Sequence, residues 1–343
     1  MADSAVPKLG SVRALLGLLA GAGASYGLYR LVTGLALKRA ACDAPPAGEE
    51  DHQQPARVHL LARLSGLDVV RRRGVESRHD GSEDIEDTKS PEALKPEHIK
   101  MLLSCLRSSG GPTDRCGVLI TLGNAAAFTV HQDAVRELGG LPLIASFLSD
   151  PGADTRLQTL NALNNLSMNI KNQHVLKIHV PQVLELIETS PVNSDLQLAA
   201  LRLLTNLSVA DVCHHLLRDS ITLLLSLLVV SRQALQIQAL KVLVNLSSNP
   251  DMMDDMVQAQ VPASVVLLFD LRTAPAVLQR LLAFTGNLKA WTPSSQVAAE
   301  LRSRQDCLYR VLLDPSSQLH SRLVQLLSHP DEEVRAHVAQ VLS

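Results

Sequence analysis

From about residue 96 to the end of the chain, apolar side chains recur at steps of three and four. Leu157, Leu160, Leu163 and Leu166 keep that rhythm with Asn164, as do Leu198, Leu201, Leu204 and Leu207 with Thr205, and Ile237, Leu240, Leu243 and Leu246 with Val244. Such spacing lays one apolar stripe along an α-helix. Shorter apolar runs precede these helices, at 141–148, 183–187, 221–229 and 265–271. Turn-forming stretches separate the two, as in Ser149-Asp150-Pro151-Gly152 and Ser190-Pro191-Val192-Asn193-Ser194. Each unit reads as a helix pair with a shorter leading helix. No convincing strand pattern interrupts the series.

The units repeat. Leu122-Gly123-Asn124-Ala125, Leu163-Asn164-Asn165-Leu166-Ser167, Leu204-Thr205-Asn206-Leu207-Ser208, Leu243-Val244-Asn245-Leu246-Ser247 and Thr285-Gly286-Asn287-Leu288-Lys289 place an Asn at successive steps of 41, 41, 39 and 42 residues. A period near 41 falls in the range of stacked helical repeats. The helix 329–342 (HPDEEVRAHVAQVL) reads as a third helix cut off before its Asn, as suits the atypical last repeat of a stack.

The pattern changes upstream. Residues 14–29 (ALLGLLAGAGASYGLY) carry no charge, Arg30 interrupts, LVTGLAL continues to Leu37, and Lys38-Arg39 close the run. Sixteen helical residues reach about 24 Å, short of a hydrocarbon core of about 30 Å. The length becomes adequate if 31–37 also enter and Arg30 snorkels. Residues 1–40 thus read as a transmembrane signal-anchor, flanked by Arg13, Arg30, Lys38 and Arg39. A cleaved secretory signal and a buried helix of a soluble protein are the competing readings. Lys38-Arg39 favour keeping the body in the cytosol. Residues 41–95 contain Pro45-Pro46, Glu49-Glu50-Asp51 and the charged run 76–89 (ESRHDGSEDIEDTK). Such composition buries too little apolar surface to offset ordering, so a flexible polar linker is expected. Arg71-Arg72-Arg73 is a weak nuclear-signal match and reads as a solvated charge run.

Composition narrows the function classes. Apolar residues are 46% of the 343 and aromatics only 2%, so Leu, Val and Ala carry the burial, which favours stacked helices over sheets. The net charge is −2, yet residues 1–40 sum to +4, leaving −6 for the rest. That body does not suggest nucleic acid. Cys42, Cys105, Cys116, Cys213 and Cys307 are odd in number and scattered, which fits neither a disulfide framework nor a zinc site. His214-His215 is adjacent in sequence, so the two cannot share a helix face, and no ligand set completes a metal site. Asp251, Asp254 and Asp255, behind Pro250, suit a helix start. The three Asn-Leu-Ser triplets match the glycosylation sequon but lie on helices, as a by-product of the repeat. No acid–base pair, phosphate loop or nucleophile with a base is present. The sequence therefore reads as a non-enzyme without cofactor or small-molecule substrate.

The segment 131–169 (HQDAVRELGGLPLIASFLSDPGADTRLQTLNALNNLSMN) resembles an armadillo repeat. It has the Gly139-Gly140-Leu141-Pro142 corner between the first and second helices and the Asn165-Leu166-Ser167 end of the third. Later units replace the corner with Ile178-His179-Val180-Pro181, Asp219-Ser220-Ile221 and Gln260-Val261-Pro262. The resemblance implies an all-α, right-handed α-solenoid of about six repeats over 96–343, the last one truncated. It also implies a role for Asn124, Asn165, Asn206, Asn245 and Asn287. In peptide-binding armadillo proteins the matching Asn lines the concave groove, where its amide pairs with an extended backbone. An equally simple role is satisfaction of local backbone groups between repeats. The groove Trp of nuclear-import armadillo proteins is missing. Ala162, Leu203 and Val242 occupy the neighbouring turn, and Trp291 stands outside the pattern.

The Gly-rich anchor with Tyr26 and Tyr29, the polar tether, and the stretches 121–128 (TLGNAAAF), 160–173 (LNALNNLSMNIKNQ) and 201–209 (LRLLTNLSV) resemble the X-linked armadillo repeat-containing (mitochondrial) family. That resemblance implies an outer mitochondrial membrane protein with its repeats facing the cytosol, contacting motor-adaptor machinery and acting in mitochondrial dynamics, distribution and transport. A reticulum or nuclear pool is a secondary expectation. The alternative is a soluble nuclear or cytosolic adaptor that binds extended peptides through the Asn ladder.

Overall fold

The computed structural model describes residues 94–108 and 111–343. The anchor segment 1–40, with Arg13, Arg30, Lys38 and Arg39, and the linker up to residue 93 lie outside the described residues. The described chain is helical apart from one isolated antiparallel bridge, Gln260 with Cys307. It forms two compact units, 94–172 and 173–343.

The first unit contains α1 (Pro96–Ser108), α2 (Pro112–Ala125), α3 (Thr129–Glu137), α4 (Gly140–Ala145) and α5 (Ala153–Leu166). Helix α6 (Ile170–Leu176) begins in it and ends in the second unit. Helices α2 and α5 pack along their length, with Leu119, Leu122, Leu160 and Leu163 in the core. They approach closely because Gly123 has no side chain. A Cβ there would sit 3.2 Å from the Ala162 Cα. The Gly139-Gly140 corner has two separate causes. Gly139 lies at φ 67, a left-handed conformation that glycine adopts freely. Gly140 has no space for a Cβ, which would fall 2.8 Å from Val135 Cγ1 and 2.9 Å from the Val135 carbonyl.

The second unit contains α7 (Val180–Thr189), α8 (Asp195–Leu207), α9 (Ile221–Val230), α10 (Gln233–Ser247), α11 (Met253–Gln258), α12 (Pro275–Lys289), α13 (Ser295–Ser303), α14 (Leu319–Leu326) and α15 (Glu332–Leu342). Helices α8, α10, α12 and α15 pack successively against one another as third helices. Helix α8 starts where Ser194 caps the Gln197 amide at 3.2 Å and the Gln197 side chain reaches back to the Asn193 amide at 3.0 Å. This is a variant of the capping box, displaced by one residue. A 3₁₀ run, 211–220, leads straight into α9 without a glycine corner. The joined segment Asp211–Val230 is the one stretch among the described residues long and apolar enough to cross a membrane. Ile221, Leu224, Leu225 and Leu228 are nevertheless buried in the unit's core. The apolar run at 265–271 forms only a short 3₁₀ turn, 263–268, rather than a full second helix.

Helix α15 packs on α12 in the manner of a third helix, but its approach differs from the other units. Between α13 and α14 an irregular stretch, 304–318, replaces the usual corner. It includes a π-helical turn, 309–313, and the bridge to Gln260. Asp314, 4% exposed, organises it. Its carboxylate accepts from Arg302 at 2.9 Å, Arg310 at 2.7 Å, the Ser316 amide at 2.9 Å and the Ser316 hydroxyl.

Candidate peptide-binding face

The ends of the third helices are buried, so their last carbonyls need partners. A side chain six residues downstream supplies one at several junctions. His131 Nδ1 lies 2.9 Å from the Ala125 carbonyl, and Asn172 Nδ2 donates to the Leu166 carbonyl at 3.0 Å. His214 Nε2 lies 2.8 Å from the Ser208 carbonyl. A carbonyl only accepts, so these imidazoles hold their proton on that nitrogen. His214 Nδ1 is then left to accept from Asn249 Nδ2 at 3.0 Å. His214 is therefore an internal capping group, while its neighbour His215 is exposed.

The repeated asparagines lie one step along from these caps. In the first unit, Asn165 is buried and its amide donates to the Gly123 carbonyl at 2.9 Å, and Asn124 is half-buried on α2. In the second unit, Asn245 donates to Ser208 Oγ at 2.9 Å and to the Thr205 carbonyl at 3.4 Å. Asn287 repeats the arrangement, to Ser247 Oγ at 2.9 Å and the Val244 carbonyl at 3.5 Å. Asn206 is fully buried. For Asn165, Asn245 and Asn287 the backbone acceptor is the residue just before the preceding Asn of the series. These three amides each make an inter-repeat bond. Ser208 and Ser247, from two of the Asn-Leu-Ser triplets, take part as acceptors, which gives the motif a packing role there.

One helical turn before the ladder stands a second row. It comprises Ile120 and Asn161 in the first unit, and Arg202, Lys241 and Ala283 in the second. Ala162, Leu203 and Val242, adjacent to that row, are buried core residues. Two cavities open beside the third-helix ends. In the first unit, a hollow of about 410 Å³ lies among Ala127, Thr129, Gln132, Asp133, Asn169 and Lys171. In the second, about 260 Å³ opens between α12 and α15, with Ala283, Gly286, Asn287, Lys289, His337 and Gln340 around it.

The chemistry elsewhere is quiet. Among the described residues no three potential metal ligands converge. Burial pushes the Cys105 and Cys213 thiols up, away from the reactive thiolate form. The acidic cluster stands at helix starts, as expected: Asp251 in the first turn of a short 3₁₀ helix, 250–252, and Asp254 and Asp255 in the first turn of α11. Asn249 caps the Asp251 amide at 3.0 Å, and Asp255 pairs with Arg218 at 2.6 Å. Sequence reasoning missed Asp314, whose only signal is the density of Arg and Ser around it. It also missed the α12–α15 cavity, which follows from the small residues Ala283 and Gly286 on α12.

Residues 94–313 match the armadillo-like family. The chain belongs to that family. Solved structures agree on the fold of this armadillo-like chain. A designed armadillo repeat protein in complex with the peptide (KR)4 is 16% identical, with a TM-score of 0.60 over 71% of this chain and 98% of that one. An armadillo repeat protein computationally designed for modular peptide recognition matches with the same identity, coverage and TM-score. An engineered protein is 18% identical, with a TM-score of 0.58 over 71% of this chain and 94% of that one.

Proposed function

We propose that this armadillo-like chain is a binding scaffold held at a membrane, the outer mitochondrial membrane, by residues 1–40. Its repeats face the cytosol and engage protein partners that govern mitochondrial distribution and transport. The observation that carries the scaffold reading is the row of third helices in the second unit. Helices α8, α10 and α12 are fastened by Asn245 and Asn287, while Arg202 and Lys241 stand one turn away along the same helices. Rigidly spaced, unlike side chains on one face suit recognition of an extended segment. The designed relatives bind or are built to recognise peptides, in keeping with this use.

The tether rests on the charge-free run at 14–29 and its basic flanks, and the organelle on resemblance to the X-linked armadillo repeat-containing mitochondrial family. A partner held there gains effective concentration at one surface. The test is imaging of the full chain beside mitochondrial and reticulum markers, with and without residues 1–40. Mitochondrial rim labelling that becomes diffuse on deletion is expected. A deleted chain still on mitochondria would overturn the anchor, and reticulum labelling of the full chain would overturn the organelle.

A further inference from the structure

The second unit's third-helix face has a definite charge. Arg202 on α8 is half-buried and has no ion-pair partner among the described residues. Lys241 on α10 stands in the same row but is buried, 7% exposed, and adds positive charge beneath the surface. Lys289, at the end of α12, donates to the Val341 carbonyl and borders the α12–α15 cavity. The row and the cavity share one face. Ala283 stands one turn before Asn287, as Lys241 does before Asn245, and both Ala283 and Asn287 line the cavity. Next in the row comes His337 on α15, opposite Ala283, where burial lowers its affinity for a proton. Acids stand at the starts of the helices, and Glu333 and Asp331 both act on His337. Asp195 opens α8 two turns from Arg202, and Glu333 at the start of α15 accepts from Gln279 at 3.2 Å. Half-buried Leu198 and Ile237 lie one turn earlier than the two cations and give aliphatic contact.

We propose that this face binds an extended acidic segment of a protein partner. Carboxylates meet Arg202 and Lys289, and one aliphatic side chain enters the α12–α15 cavity. The occupant follows from charge complementarity. The attraction between a half-buried cation on a packed helix face and a carboxylate is screened less than that of a fully exposed pair. A floor of Leu282, Ala283 and Gly286 suits a branched aliphatic group. The inference rests on the scaffold reading and adds the partner's chemistry. It assigns the opposite charge preference to the (KR)4 peptide held by the designed relative.

The test is fluorescence anisotropy on the full chain in detergent, with two labelled probes. One is a short peptide alternating Glu and Asp around a central Ile, and the other is (KR)4. The acidic peptide is expected to bind, more weakly as salt rises, and Arg202→Glu should weaken it about tenfold. Arg202→Gln removes the charge with less risk to folding and should shift affinity in the same direction, with the thermal melt unchanged. Replacing the central Ile of the probe by Gly should cost about another tenfold on the wild-type chain. Preference for (KR)4 would overturn the charge assignment and leave a peptide-binding face standing. Acidic-peptide binding indifferent to both Arg202 variants would overturn the location. Binding of neither probe would overturn the inference itself, while the tethered-scaffold reading stands or falls by the imaging.

Discussion

Two of the repeats join their first and second helices in opposite ways. In the first unit, α3 passes to α4 through Leu138 and Gly139 alone, with Gly140 as the first residue of α4. Gly139 supplies a left-handed torsion and Gly140 an absent Cβ. In the last repeat, α13 passes to α14 through the stretch 304–318, held by Asp314 with Arg302, Arg310 and Ser316. The short corner is fixed by sterics, which neither pH nor salt alters. The long one is fixed by a buried carboxylate, whose hold depends on its charge. The same helical packing can therefore fail in two unrelated ways, and substitutions can separate them.

The largest effect is expected at Gly140. Valine there would drive its side chain into Val135 and Leu103, between packed helices that cannot withdraw. The cost is about 3 kcal/mol, read as a fall of roughly 10 °C in the melting temperature and independent of pH. Next comes Asp314→Asn. The Ser316 hydroxyl bond, then the Ser316 amide, Arg302 and Arg310, hold the Asp314 carboxyl down at about 2 against the opposing effect of burial. The folded state thus binds this proton less readily than the unfolded chain does. Its stabilisation is complete above about pH 4 and is lost as pH falls toward 2. The Asn variant should be about 2 kcal/mol less stable near neutrality and should lack that acid leg. A melting series from pH 7 to pH 2 checks both, and parallel curves for wild type and variant would refute the electrostatic account.

The same contrast explains what the sequence could reveal. The steric corner was legible because Gly-Gly is a local signature, and the third helices because an apolar period survives in each of them, with a recurrent Asn in all but the last. Where glycines are lost, the units still turn. A 3₁₀ run enters α9 directly after Ser220, and Pro181 opens α7 within its first turn. Neither device has a period to detect. The stretch 304–318 was illegible for a related reason. Asp314 gains its meaning only from Arg302 and Arg310, whose side chains converge through the turns between them. The ladder was half legible. Its spacing was plain, but the direction of each amide was not, because an Asn on a helix reaches a peptide or a neighbouring repeat with the same atoms. Only the placement of Gly123 opposite Asn165, and of Ser208 opposite Asn245, shows the inter-repeat bond.

The smallest expected effect tests the two glycines of the corner against each other. Gly139 has no heavy atom within 4 Å of where a Cβ would be, so only its torsion, φ 67, restricts it. Gly139→Ala should cost about 1 kcal/mol, the penalty of a left-handed conformation for an ordinary L-residue. Asparagine tolerates that region, and this chain already uses it so at Asn193, φ 66. Gly139→Asn should therefore recover most of the loss and melt within a degree or two of wild type. Gly140→Asn, whose Cβ meets the same Val135 and Leu103 atoms as valine's, should be as damaging as Gly140→Val. Equal destabilisation by Asn at both positions would mean that the corner is limited by space throughout and that the torsion at Gly139 is incidental. A benign Gly140→Asn would instead show that α3 and α4 can part, and that this corner is no stiffer than the one held by Asp314.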